Sequence, residues 1–281
     1  MVKLLGLGDN TVDTYVDQGL QFPGGNAVNV AVLSARLGAE AGYLGCLGGD
    51  EAGDILHAAL TAEKIDLTRC RRRAGDNARA RIGHRNGDRY FIGSHPGVRA
   101  DYRWEPADFA YIAGFDLTHT SIYSELDEPT LAKIKAAAPR LSFDFSERWT
   151  DAILARDLPP LDIAFLSSPK MNDAECEALL RASAAKGPEI VVITRGERGA
   201  IAIGHGRIIA QPIVPADVVD TLGAGDGFIA GFLVKSLSGA PLEQALRAGA
   251  EYAAEVCGQQ GAFGHGRPWS ASESATSVAR S

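Results

Sequence analysis

Hydrophobic and polar positions along the chain alternate between two periods. "KLLGLG" (Lys3 to Gly8) is a short apolar run that predicts a buried strand. "GGNAVNVAVLSARLG" (Gly24 to Gly38) then repeats Ala27, Val30, Ala31 and Ser34 at helical spacing, opens on glycines and reaches Gly38 as a C-cap. "AGYLGCLG" returns to the strand pattern. "DEAGDILHAALTAEKI" (Asp50 to Ile65) places Ile55, Leu56, Ala59 and Leu60 on one side of an amphipathic helix. Strand, helix, strand, helix in this order predicts a layered α/β protein with a largely parallel sheet. From Asn77 to Gly97 the texture changes: positions alternate, and "RNGD" supplies an Asn-Gly hairpin turn. An antiparallel hairpin inserted into the α/β body is expected there. Residues 11–22 are also short and strand-like and would join it in a small sheet over one edge, a lid. After Gly97 the alternation resumes. Strands are expected at Phe115–Thr120, Arg140–Phe145, Ile163–Ser167 and Ile190–Thr194. A hairpin across Ala200–Val214 turns at "GHGR", and helices follow at Ala224–Leu237 and Leu242–Gln259. One domain over residues 1–269 is predicted, with lid segments near 11–22 and 76–98. The small, polar tail over 270–281 is expected to be disordered.

Composition narrows this picture. A chain of 281 residues is near the upper size for one hydrophobic core, and 46% hydrophobic with 22% charged residues is ordinary for a globular protein. No apolar run approaches the roughly 18 residues of a membrane span. Asp9 comes too early for a signal peptide. Cys46, Cys70, Cys176 and Cys257 are scattered without a CxxC, which argues for a reduced, cytoplasmic protein and against a disulfide or zinc scaffold. The net charge of −7 argues against non-specific nucleic-acid binding. The local run Arg69, Arg71, Arg72 and Arg73 reads as a solvated surface.

Candidate chemistry concentrates in a few glycine-rich stretches. "GLGDN" begins like a dinucleotide fingerprint, but the third glycine is replaced by Thr11 and no helix starts there. No GxxxxGK[ST] occurs, so a P-loop is excluded at the level of motif. Asp9, at the end of the first strand, either caps a turn or holds sugar hydroxyls where ligands of open α/β sheets gather. In "GGNAVNVA", Gly24 and Gly25 allow a ligand to approach the backbone, and Asn26 and Asn29, three apart on a helix, share one face. Their amides suit polyol hydroxyls; a buried capping role is the competing reading. "DTLGAGDGF" is the most informative stretch. Gly223, Ala224 and Gly225 can aim N–H groups at one point, and the helix behind them adds the positive end of its dipole, so an anion fits there. Asp226 in the first turn is good helix design in its own right. With no lysine nearby, it also suits a reaction in which a hydroxyl attacks phosphorus and gives up its proton to the carboxylate.

"GGNAVNVA" early and "DTLGAGDGF" late resemble the two signatures of the PfkB/ribokinase family of sugar kinases, and "VVITRGERGA" (Val191 to Ala200) resembles that family's nucleotide-binding strand and turn. The resemblance covers about residues 3–263. It implies a three-layer α/β/α sandwich with a mostly parallel central sheet and a small β lid, and transfer of the ATP γ-phosphate to a sugar hydroxyl. Carried over by position, Asp226 is the catalytic base, and Gly223, Ala224 and Gly225 form the anion hole. Asp9, Gly25, Asn26 and Asn29 fall where the family binds sugar, Thr194, Gly196 and Gly199 where it binds nucleotide. Asp220 sits where many members bind a monovalent cation such as K⁺. The family's N-x-x-E motif, which organises Mg²⁺ and its waters, does not directly follow the strand here: it is either shifted to Asn172 and Glu175, which makes Glu175 the candidate on the Mg²⁺ side, or lost. "FDFSERW" (Phe143 to Trp149) resembles a further family region and places Asp144 in the metal–phosphate zone. Within the family, "GDNTVDTYVDQG", "FPGGNAVNVAV" and "FDFSERW" resemble the fructosamine-phosphorylating members, which implies a sugar-amine substrate modified at O6. Arg79 and Arg81, on one face of the lid hairpin, would then clamp a substrate carboxylate. The alternatives are a kinase for fructose or another small sugar, and a catalytically silent sugar or nucleotide sensor. Many members are homodimers joined through the lid.

Overall fold

The computed structural model describes residues 1–85 and 88–270. In chain order it runs β1 (Lys3–Gly8), β2 (Thr11–Tyr15), β3 (Leu20–Gly24), α1 (Asn26–Arg36), β4 (Glu40–Gly48), α2 (Glu51–Ala62), β5 (Arg71–Arg73), β6 (Arg79–Arg85) and β7 (Asp88–His95). It continues with α3 (Pro106–Ile112), β8 (Leu117–Ser121), α4 (Glu128–Ala137), β9 (Leu141–Asp144), α5 (Asp151–Asp157), β10 (Ile163–Ser167) and α6 (Asp173–Ala184). The last part comprises β11 (Ile190–Thr194), β12 (Ala200–Gly204), β13 (Arg207–Gln211), α7 (Ala224–Leu237), α8 (Leu242–Val256) and β14 (Arg267–Pro268).

Nine strands form the central sheet in the order β13-β12-β11-β10-β9-β8-β1-β4-β5. It is parallel from β11 to β5, and β12 and β13 extend it as an antiparallel edge. The apolar runs explain the burial: in β1, Leu5 and Leu7 join the core under α3–α6, while Leu4 joins the one under α1, α7 and α8. Both faces are covered, so the strands read as continuous hydrophobic segments rather than alternating ones. The second sheet, β14-β3-β2-β6-β7, is the lid inferred from the break in pattern. Its β2–β3 and β6–β7 pairs are antiparallel, whereas β2 and β6 run parallel.

The observed elements depart from expectation in three places. Helix α1 has no polar face, since every residue from Asn26 to Ser34 is buried, sandwiched between sheet and α7. The basic run is a solvated surface only in part: Arg72 and Arg73 are exposed, but Arg71–Arg73 pairs with β4 as an edge strand, and Arg69 and Arg71 each reach the fully buried Asp108 carboxylate at 2.7 Å. Helix α8 stops at Val256, three residues short of the expected Gln259. The "GHGR" turn holds, with His205 at φ 50° and Gly206 at φ 76° between β12 and β13. The Asn-Gly turn at 86–87 and the tail from 271 onward lie outside the described residues.

Candidate active site

From β1 the chain winds outward to β4 and β5, then returns to the other side of β1 as β8 and continues the opposite way. The reversal leaves a crevice at the carboxyl ends of β1 and β8, where ligands of open α/β sheets bind. Asp9 follows β1 into this crevice and is 2% exposed. Its Oδ1 accepts from Ser121 Oγ (2.8 Å), Ser124 Oγ (3.2 Å) and the Ala27 amide (3.3 Å). Oδ2 has no hydrogen-bond partner among the described residues, which leaves an acceptor for a ligand hydroxyl.

Asp226, in the first turn of α7, meets α1 across the crevice. Its two oxygens accept from Asn26 Nδ2 (2.7 Å) and Asn29 Nδ2 (2.6 Å), so the two amides that share one face of α1 grip one carboxylate. Asn29 Oδ1 is buried and takes no hydrogen bond, a second acceptor awaiting a donor. Asn26 Nδ2 also donates to Asp144 Oδ2 (2.9 Å), while Asn26 Oδ1 accepts from His119 Nε2 (2.9 Å). Because that amide oxygen can only accept, His119 carries its proton on Nε2 and its Nδ1 accepts from Ser142 Oγ at 2.8 Å. Burial drives the His119 pKa down to about 3, so the ring is neutral. Burial pushes the Asp144 carboxyl up to about 7; the Ser146 amide opposes this, and the charges of Asp226 and Asp9 add to it.

Glycines set the backbone geometry at the starts of α7 and α1. Gly223 caps α7 at φ 82°, in the left-handed region, and a Cβ there would lie 2.4 Å from the Ala262 Cβ. Gly25, at φ 104°, caps α1 against Asn10, whose Cα a Cβ would approach to 2.5 Å. The three small residues ahead of Asp226 do not share the work equally. The Ala224 amide is spent on the Thr221 carbonyl at 3.2 Å. The amides of Gly223 and Gly225 take no partner among the described residues, and a Cβ on Gly225 would meet open space. Ala224 therefore shapes the turn, and the glycines present the donors.

Other candidates have different surroundings. Thr194 ends β11 with its hydroxyl 2.9 Å from Ser167 Oγ, and Gly196 (φ 59°) and Gly199 (φ 76°) shape the turn into β12. That turn is pinned by Arg195 to Asp173 and by Arg198 to the Pro169 and Met171 carbonyls. Asn172 and Glu175 form a reciprocal capping box at the start of α6, each side chain accepting from the other's amide (3.0 and 2.8 Å). The N-x-x-E spacing thus serves a helix end, and Glu175 closes back on Asn172. Asp220 accepts from the Tyr15 hydroxyl (2.5 Å), the Leu222 amide (2.9 Å) and the Gly261 amide (3.0 Å), fastening lid strand β2 to the loop that carries Asp226. On the lid strand β6, the Arg79 guanidinium lies 3.2 Å from Asp50, and Arg81 is exposed. Residues that no motif announced complete the site. His119, Ser121, Ser124 and Ser142 come from β8, its following turn and β9. The one available signal was that β8, "LTHTS", is a strand rich in polar residues, and the structure buries it entirely.

Comparison with known proteins agrees with this arrangement. The model of the pfkB family carbohydrate kinases matches residues 3–266. The fructosamine kinase FrlD of Bacillus subtilis (strain 168) is 43% identical over 272 residues, covering 95% of each chain. The fructoselysine 6-kinase of Escherichia coli (strain K12) is 35% identical over 263 residues, covering 94% of this chain and all of that one. Among solved structures, Arabidopsis thaliana ribokinase complexed with ribose and ATP superposes with a TM-score of 0.81 at 20% identity, over 99% of this chain and 97% of that one. Fructokinase with bound ATP from Xylella fastidiosa gives 0.79 at 21% identity, over 99% and 98%. This α/β/α sandwich with its β lid therefore belongs to the pfkB family of carbohydrate kinases and is a phosphotransferase.

Proposed function

We propose that this kinase transfers the γ-phosphoryl group of ATP to the 6-hydroxyl of a fructosamine, a fructose carrying an amino acid on C1. The observation that carries the chemistry is Asp226, held by two asparagine amides at 2.7 and 2.6 Å beside a left-handed glycine turn. Fixing a carboxylate in this way prepays the orientation of a base. As the substrate oxygen bonds to the γ-phosphorus and the bond to the ADP oxygen breaks, Asp226 takes the hydroxyl proton. The Gly223 and Gly225 amides and the α7 dipole oppose the charge on the transferring group. Asp9 Oδ2 and Asn29 Oδ1 accept from sugar hydroxyls. The turn over Thr194, Gly196 and Gly199, at the same carboxyl edge of the sheet, receives the nucleotide.

The residues present also bear on Mg²⁺. Among the described residues, no group of three histidine, cysteine or carboxylate side chains is placed to hold a metal. That fits a magnesium ion carried by the triphosphate and its waters rather than caged by protein, with Asp144 beside the base as its carboxylate neighbour. The ion supplies charge neutralisation to the phosphates when bound. The four cysteines are free thiols, which supports a cytoplasmic setting where ATP is available.

The substrate assignment is supported by the fructosamine kinase and fructoselysine 6-kinase relatives. ATP consumption with fructoselysine, other fructosamines, fructose and ribose tests it; turnover confined to a simple sugar would overturn the fructosamine reading. Replacing the base, Asp226→Asn, is expected to lower kcat by about 10²–10⁴-fold. A near wild-type rate would remove Asp226 from its role.

A further inference from the structure

A cavity of about 420 Å³ shares Gly8 and Ser124 with the Asp9 site. Ser124 is the hinge between the two: its hydroxyl bonds Asp9 Oδ1 and its side chain lines the cavity wall. Four apolar or aromatic side chains, Leu44, Leu126, Tyr102 and Trp104, form the walls. Tyr102 meets Trp104 edge-on at 4.9 Å and Trp104 stacks on Phe109 at 5.5 Å. Behind Tyr102, the Arg71 guanidinium lies 4.5 Å from the ring centroid and is itself held by buried Asp108. The aromatic wall is therefore braced from outside the cavity, and the basic run supplies the brace.

The charged lining has its bonding capacity unspent. The Arg99 side chain is only 21% exposed, yet its guanidinium makes no hydrogen bond among the described residues. Its ion-pair partner Glu125 lies 4.0 Å away, beyond hydrogen-bond range, and that side chain is 62% exposed. The third charged residue, Asp127, is occupied in capping α4 through the Thr130 amide. A half-buried guanidinium without a hydrogen bond, loosely ion-paired with an exposed carboxylate at the end of an apolar trough, matches a ligand with an anionic and a cationic end on a hydrocarbon stem.

The order of groups along the crevice gives this ligand an identity. Asp226 bonds Asn26 and Asn29 on α1, Asp9 bonds the amide of Ala27 on the same helix, and Ser124 links Asp9 to the cavity. A fructose with O6 at Asp226 directs C1, at its other end, past Asp9 towards Ser124. We infer that the cavity is the subsite for the amino-acid portion of the substrate: Arg99 binds the carboxylate, Glu125 the ammonium group, and the apolar walls the stem. This rests on the fructosamine reading and moves recognition of the carboxylate away from the lid, where Arg79 is already engaged by Asp50.

The test compares two substrates, Nε-fructosyl-lysine and 1-butylamino-1-deoxyfructose, which keeps the sugar and amine linkage but lacks the charged end. The quantity read is the ratio of their kcat/KM values in the wild type, Arg99→Ala and Arg99→Lys, with thermal melting to confirm folding. Arg99→Ala is expected to lower the preference for fructosyl-lysine by about 10- to 100-fold, through KM rather than kcat, and Arg99→Lys by less because the charge is kept. An unchanged ratio in Arg99→Ala overturns the subsite, as does a collapse produced by Arg81→Ala alone. A wild type that turns over both fructosamines equally overturns the subsite while leaving the fructosamine reading intact. A wild type active only on fructose overturns both.

Discussion

Asn26 bridges two acidic side chains, giving one N–H to Asp226 and the other to Asp144, while its oxygen accepts a hydrogen bond from His119 Nε2. No rotation of the amide satisfies all three neighbours except the one observed, so the side chain is fixed by its surroundings and in turn fixes the Asp226 carboxylate. Asn26→Ala would strip a donor from buried Asp144 and leave Asp226 gripped by Asn29 alone. The expected loss is about 1–3 kcal/mol of stability. A drop of about 10- to 100-fold in kcat should accompany it as the base loses its orientation. Steady-state kinetics and urea unfolding of the variant check both; an unchanged kcat would show that Asn29 alone positions the carboxylate. Asn26 and Asn29 were legible in the sequence because the partners of a glycine-opened helix lie on one face. His119 and Ser142 were not: His119 reaches Asn26 across 93 residues and Ser142 across 23, through a sheet register that no local spacing encodes. The polar residues of β8 gave a trace of them, since buried polar side chains such as His119 and Thr120 call for hydrogen-bond partners.

At the level of elements, α7 shows how one turn serves both folding and binding. Gly223 lies in the left-handed region with Ala262 packed where a Cβ would go. Gly223→Ala meets two penalties: left-handed strain of about 1–2 kcal/mol and a steric conflict that must displace the 262 segment. A total loss of about 2–4 kcal/mol is expected in urea unfolding, with a fall in kcat because the amides and Asp226 shift together. A loss under 1 kcal/mol would mean that the turn tolerates the left-handed alanine and that Ala262 moves aside freely. This element was readable because glycine spacing, helix start and acid lie within one short stretch. The capping box of α6 shows the opposite. Asn172 and Glu175 carry the spacing of a metal-organising motif, but a capping box demands the same spacing. Only the hydrogen bonds separate the two uses. The lid is intermediate: its strands follow from alternation, yet the bond from Tyr15 to Asp220, which ties β2 to the segment ahead of α7, spans 205 residues and had no signature.

Across the whole molecule, the buried polar network predicts a pH response that neither of its titratable members would show alone. His119 titrates near 6.5 when unfolded and about 3 when folded, so between these values the unfolded chain binds one more proton and stability rises with pH. Asp144 titrates near 3.8 unfolded and about 7 folded, so over that window the folded chain binds the extra proton and stability falls as pH rises. From about pH 4 to 6.5 the two slopes, each up to about 1.4 kcal/mol per pH unit, cancel, because the proton that His119 gives up on folding is matched by the one Asp144 keeps. The ligand-free enzyme should then show no contribution from this pair in that range. Removing either partner exposes the other. Asp144→Asn should leave a stability that rises from pH 4.5 to 6.5 relative to wild type, and His119→Gln one that falls, each by about 1–3 kcal/mol over the interval. Urea unfolding of the three proteins at both pH values measures the difference, and all other ionisable groups are common to the three. Parallel pH dependences would mean that Asp144 and His119 do not carry the proton states that burial assigns them. Opposite slopes would show that the folded protein holds a protonated Asp144 carboxyl and a neutral His119 imidazole on either side of Asn26.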